Sequence, residues 1–196
     1  PNNLSSELGY NSVPTHVAPR VDSIVLPGTN GKIGDVDDVL VGSLMVWNVT
    51  SLVFNVPKCR VRGRFLPSGT NTPELVWDLF SPDSVIVQRA AVAAGTGQDV
   101  GSSQFLVAFQ TVEDVVNIGT RKVELVGSLK MRAANTAGQP VGEVVELASS
   151  DSLNNRYCLA PSVTWCRELG QYFLAWTQTD TLWNPITVGK AWDPAT

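Results

Sequence analysis

KCRVRGRFL, residues 58–66, fixes its own local geometry by parity alone. Lys58, Arg60, Arg62 and Arg64 take every second position, and Cys59, Val61, Gly63 and Phe65 lie between them. Side chains two residues apart share one face of a β-strand, whereas a helix needs apolar recurrence every three or four residues. The stretch therefore reads as a strand with one face in the core and a cationic face outside it. The chain carries 14 Lys plus Arg against 18 Asp plus Glu, a formal charge of −4, so four cations in seven residues call for a partner.

The same period recurs. In TRKVELVGSLKMRA (120–133), Val123, Leu125, Leu129 and Met131 alternate with Lys122, Glu124, Ser128, Lys130 and Arg132. Further stretches rich in β-branched and aromatic residues lie at 20–27, 42–56 (bent or divided), 73–80, 84–94, 103–112, 142–149, 160–169, 171–178 and 186–192. Turn-forming clusters such as PGTNGK, PSGTNTP, SPDS, NTAGQP and LWNP separate them. Helix signals are short. Asp35 is placed to cap a turn or two within 35–47, and 111–118 has a similar pattern.

This pattern predicts an all-β protein, an antiparallel two-sheet sandwich of jelly-roll type with long loops and short connecting helices. One compact domain, 20–196, follows an N-terminal arm or loop, 1–19. QFLVAFQT (104–111) and YFLAWTQT (172–179) resemble each other, but with no clear third copy a propeller is disfavoured and only a propeller fragment stays open. Charged residues form 16% of the chain, below the usual quarter or so, which suggests a surface partly covered by partners. No apolar run reaches the roughly 18–20 residues that span a bilayer.

Residues for catalysis or metal binding are few. A histidine-based nucleophilic mechanism would have to use His16, the single histidine, which lies in the polar N-terminal stretch. Asp35, Asp37 and Asp38 cluster without the later ligands of a calcium loop, and one His with Cys59, Cys158 and Cys166 makes no zinc pattern. No catalytic residue, metal or cofactor is therefore assigned. Cys158 and Cys166 are expected as reduced thiols, although a hairpin disulfide stays open, and NVT at 48–50 is a glycosylation sequon.

The cationic stripe admits three partners: carboxylates on neighbouring strands, an acidic neighbouring subunit, or RNA phosphates. The spacing predicts that at least two of the four cations meet acidic side chains, within the subunit or across a boundary. Of the tryptophans, Trp183 and Trp192, near the C-terminal end of the sequence, are the candidates for burial at an interface.

RVDSIVLPGTNGKIGDVDDV followed by SLVFNVPKCRVRGRF resembles the early part of picorna-like plant-virus coat subunits, in which an opening strand and an N-G-K turn lead to a second long strand. TWCRELGQYFLAWTQ and the tail TVGKAWDP are similar to the closing strands of the small coat subunit of the comovirus and fabavirus group. The resemblance implies a jelly roll in an icosahedral shell around RNA, with copies of itself and a larger two-domain coat protein as partners, in a virion assembled in the host cytoplasm. It implies no catalytic residue and no membrane. The long glycine-rich AAGTGQDVGSS departs from that family's pattern. The alternatives are a lectin-like carbohydrate-binding sandwich, for which six tryptophans could supply stacking platforms, and a secreted hydrolase or adhesin domain stabilised by a disulfide and a glycan on Asn48.

Overall fold

The computed structural model describes residues 12–13, 19–29, 34, 36–53, 56–70, 76–82, 85–97, 99–117, 122–149, 158–179 and 184–194. Among these every regular element is a strand. In chain order they are β1 (Ser12–Val13), β2 (Arg20–Leu26), β3 (Val39–Val53), β4 (Val56–Pro67), β5 (Val76–Phe80) and β6 (Ile86–Gly95). There follow β7 (Gln104–Asn117), β8 (Lys122–Ala134), β9 (Pro140–Ser149), β10 (Cys158–Cys166), β11 (Gln171–Thr179) and β12 (Pro185–Trp192). All pairings are antiparallel.

The strands form three sheets, where two were expected. The first runs β3-β4-β5, with β1 and β2 both paired to β3; the second runs β6-β7-β8-β9; the third runs β10-β11-β12. Apart from β1, each described pairing joins strands adjacent in the chain, so the long-range strand order of a jelly roll does not occur among the described residues. Strands consecutive in the chain are common antiparallel partners, because a direct connection can join them. The short helices expected within 35–47 and 111–118 are also absent: Val39–Val53 and Gln104–Asn117 are strands. Tertiary pairing overrides a local capping signal there, since β3 is held over 12 register positions by β4 alone.

In the second sheet the inner strand β7 is buried on both faces from Phe105 to Thr111. Phe105, Val107 and Phe109 of β7 join Ile24, Leu44, Val46, Val61 and Leu79 of the first sheet in one apolar cluster. Leu106 and Ala108, of opposite parity on the same strand, join Tyr172, Leu174 and Trp176 of β11 in another. The molecule is thus a sandwich-like stack in which two apolar layers separate three sheets. QFLVAFQT and YFLAWTQT look alike because each is an inner strand of its sheet, β7 and β11 respectively.

Close approach between sheets is explicit at Gly95, where a Cβ would collide with the Tyr172 hydroxyl group. Tyr172 is fully buried, and its hydroxyl donates to the Gln104 carbonyl at 2.7 Å. Burial pushes its pKa well above the ordinary tyrosine value, and the nearby Asp22 charge adds to the rise.

Two measurements check this architecture. Phe105→Ala removes a fully buried ring and is expected to lower the unfolding free energy in urea by about 3–5 kcal/mol. Tyr172 binds its proton more tightly folded than unfolded, so its contribution is intact below pH 10.0, its unperturbed value, and is lost as pH rises above that. The wild-type chain should therefore lose more stability between neutral and strongly alkaline pH than Tyr172→Phe does, in urea titrations at each pH.

Candidate functional site

The cations of β4 come first. Antiparallel register sets Arg62 opposite Asp78 on β5, and Arg60 lies two residues away on the same face. Arg60 Nη1 donates to Asp78 Oδ2 at 3.0 Å, and Arg62 Nε donates to Asp78 Oδ1 at 2.9 Å. Two of the four cations thus meet one carboxylate within the chain. On their other side, Arg62 and Arg64 are opposite Trp47 and Met45 of β3. Arg64 is half-buried, and its Nε has no acceptor among the described residues. Lys58 pairs with Ser51 through the backbone, and its side chain lies outside the described residues.

The cations of β8 behave differently from the solvent-facing row that alternation implied. Lys130 Nζ lies 3.4 Å from Glu113 Oε1 and 5.7 Å from the centre of the Phe80 ring. Arg132 donates to the carbonyls of Leu79 on β5 and Gly142 on β9, both at 3.0 Å. Their charged ends occupy the rim between the first and second sheets while their stems cover apolar surface.

Trp192 is half-buried, with its ring centre 5.6 Å from that of Tyr172, and it packs on the second apolar cluster. Trp183 and His16 lie outside the described residues. Trp47, Trp77 and Trp165 are half-buried and Trp176 is buried, so no described indole stands fully exposed as a sugar platform. Asn48 is 7% exposed and its Nδ2 donates to the Gln88 carbonyl at 2.7 Å, which leaves the sequon nitrogen enclosed. Cys158 and Cys166 end the same strand and are not bonded to each other. Eight residue steps at ~3.3 Å separate them by roughly 26 Å, far beyond disulfide reach.

The acidic cluster at 35–38 serves its own loop. Asp37 Oδ2 accepts from both the hydroxyl and the amide of Thr29 at 2.7 Å, and these bonds hold its pKa below the ordinary carboxylate value. Asp38 accepts from the amides of Gly28 and Gly34. Among the described residues no group of His, Cys, Asp and Glu is arranged to hold a metal ion.

One open feature was not singled out by the sequence. A cleft of about 670 Å³ lies where the outer strands of the three sheets meet: β2, β6 and β10. Arg20 and Arg89 line it above a floor of Ala90, Ala91 and Val92. Two bulges shape it. The register of β6 shifts between Val87 and Ala90, and that of β10 between Leu159 and Ser162. Pro161 lacks an amide hydrogen, which interrupts the β10–β11 ladder, and Ala160 takes the left-handed conformation with φ of 52°.

A line of polar groups holds this strained corner. The Asn48 bond to the Gln88 carbonyl continues through Gln110 Nε2 to Gln88 Oε1 at 3.3 Å, and the Ala160 amide donates to Gln110 Oε1 at 3.4 Å. Asp22 Oδ2 accepts from the Ala94 amide at 2.8 Å and ties β2 to β6 beside the cleft. Arg20 and Arg89 are exposed, and no described carboxylate pairs with either. Adjacent polar residues Gln88–Arg89 and a proline inside a strand were the two available sequence signals, each a break in alternation.

Comparison with models of protein families, with curated proteins and with solved structures finds no match to this chain.

One substitution measures the β4 pairing. All three side chains of the Arg60–Asp78–Arg62 group are between 21% and 37% exposed. Asp78→Ala should cost about 1 kcal/mol or less, and the difference from wild type should shrink as salt is raised.

Proposed function

We propose that the chain is a structural coat subunit that works through contacts with copies of itself and with a larger coat protein, in a shell enclosing RNA. The observation that supports this most is the distribution of exposed apolar residues on a rigid β stack. Val21, Val39, Leu40, Ile86, Val141, Val145 and Ile186 stand exposed on strands. Several of those strands, β2, β6, β9 and β12, lie at sheet edges. Unpaired strand edges carrying apolar side chains are association surfaces unless something covers them.

Stacked sheets suit such a role because each edge is held rigidly by the layers behind it. Strand order matters less than edge availability, so a jelly roll is not required by this reading, although the coat-subunit resemblance implies one. RNA contact is the lesser role assigned to the β4 stripe, because Asp78 already neutralises part of its charge. A lectin-like module finds less support, since the described indoles are packed instead of displayed.

Particle size tests the proposal. The purified native protein is expected in shells tens of nanometres across by light scattering and electron microscopy. A 21.1 kDa monomer persisting at high concentration would count against it.

A further inference from the structure

We infer that the Arg20–Arg89 cleft receives the β9 edge of a second copy of this chain, in a head-to-tail contact. This rests on the coat-subunit proposal and names two surfaces through which copies would join.

Both surfaces include an outer strand of the second sheet, β6 at the cleft and β9 at the opposite edge; the cleft also takes Arg20 and Val21 from β2 and residues 160–163 from β10. Among the described residues β6 has only β7 and β9 only β8 as a strand partner. Asp22 and Asn48 already engage the Ala94 amide and the Gln88 carbonyl of β6, so the stretch that faces the cleft is Arg89–Val92. Four strands in an antiparallel meander leave the two outer strands running in opposite directions. Placing β9 of one copy against β6 of the next therefore continues the antiparallel alternation without turning either molecule over. The contact is heterologous, with different patches on its two sides, and such contacts generate rings or open arrays.

Charge is complementary across this contact. The cleft presents Arg20 and Arg89, both exposed and without a described carboxylate partner. β9 presents Glu143 and Glu146, both exposed and in no described ion pair; Glu146 lies opposite Lys130 in the register, whose charge is already met by Glu113. In an acidic chain of net charge −4, two unpaired arginines favour an anionic occupant, and β9 supplies one of matching charge.

Apolar surface is complementary too. Val21 on β2 is 51% and Ile86 on β6 43% exposed, while Val141 is 45% and Val145 46% exposed on β9. Beside Val141 and Val145 a hollow of about 230 Å³, bordered by Met131 and Trp192, is open to an entering aliphatic side chain. Gly142, at φ of +67°, marks the bulge in β9 that sets Glu143 apart from the regular ladder.

Reciprocal charge reversal of the full-length chain tests the contact. Arg20→Glu with Arg89→Glu forms one variant, and Glu143→Lys with Glu146→Lys forms the other. All four positions are exposed, and circular dichroism and urea melting establish that each variant folds. Sedimentation velocity should show self-association weakened on the order of tenfold in each variant alone. An equimolar mixture should recover it, because a junction between the two variants pairs either an acidic cleft with a basic edge or an unaltered basic cleft with an unaltered acidic edge, in place of two like charges. Wild-type chains that assemble while neither variant alters association would overturn the inference and leave the coat-subunit proposal standing. The inference fails in the same way if the mixture does not recover, or if the arginine variant loses only binding of a short RNA oligonucleotide. A wild-type chain that never associates would remove both.

Discussion

The constraint on which the rest depends is that β7 is buried on both faces. From Phe105 to Phe109 neither parity of this strand carries a polar residue, and the buried polar groups that follow, Gln110 and Thr111, are hydrogen-bonded. Its two faces then need two different covers, and the first and third sheets supply them. Three layers follow from one strand that has no solvent side. Removing water from both faces gives β7 a disproportionate share of the apolar driving force, and the flanking sheets depend on it for their own inner faces.

Polar contacts decide how the layers are aligned, because dispersion and hydrophobic burial carry little directional information. Asn48, Gln88 and Gln110 thread amide groups from the first sheet through the second to the bulge at Ala160 on the third. On the far side Arg132 joins β5 to β9 by donating to one carbonyl on each. Buried amides left without partners are costly, so the sheets are held where these bonds can form. The corner this produces includes a left-handed alanine and two bulges, and strain of that kind persists where surrounding contacts over-determine it. The cleft is the open space that remains.

Electrostatics divide the charged residues by task. Asp37, Asp38 and Asp99 accept bonds from loop amides or hydroxyls and hold turns. Asp78 and Glu113 meet arginine and lysine on neighbouring strands. Arg20, Arg89, Glu143 and Glu146 stand apart from these pairs, with the cations at the cleft and the anions on the far edge of the second sheet. With so few charges in the chain, this separation of cations from anions gives the stack two different ends.

Strand identity was legible in the sequence almost throughout. Alternation placed β4 and β8 correctly, turn residues bounded their neighbours, and even the pairing of two β4 cations with carboxylate followed from spacing. These are local properties, carried by side-chain parity and backbone preference within a few residues. The number of sheets was not legible, because parity says which side chains share a face but not what covers it. An apolar run such as FLVAF reads equally well as a strand or a buried helix, and its two-sided burial emerges only from packing. Arg132 looked like a solvent-side residue and became a tie between sheets. The cleft exists only in three dimensions, since Arg20, Arg89 and Ala160 are far apart in the chain and meet only where three sheet edges converge.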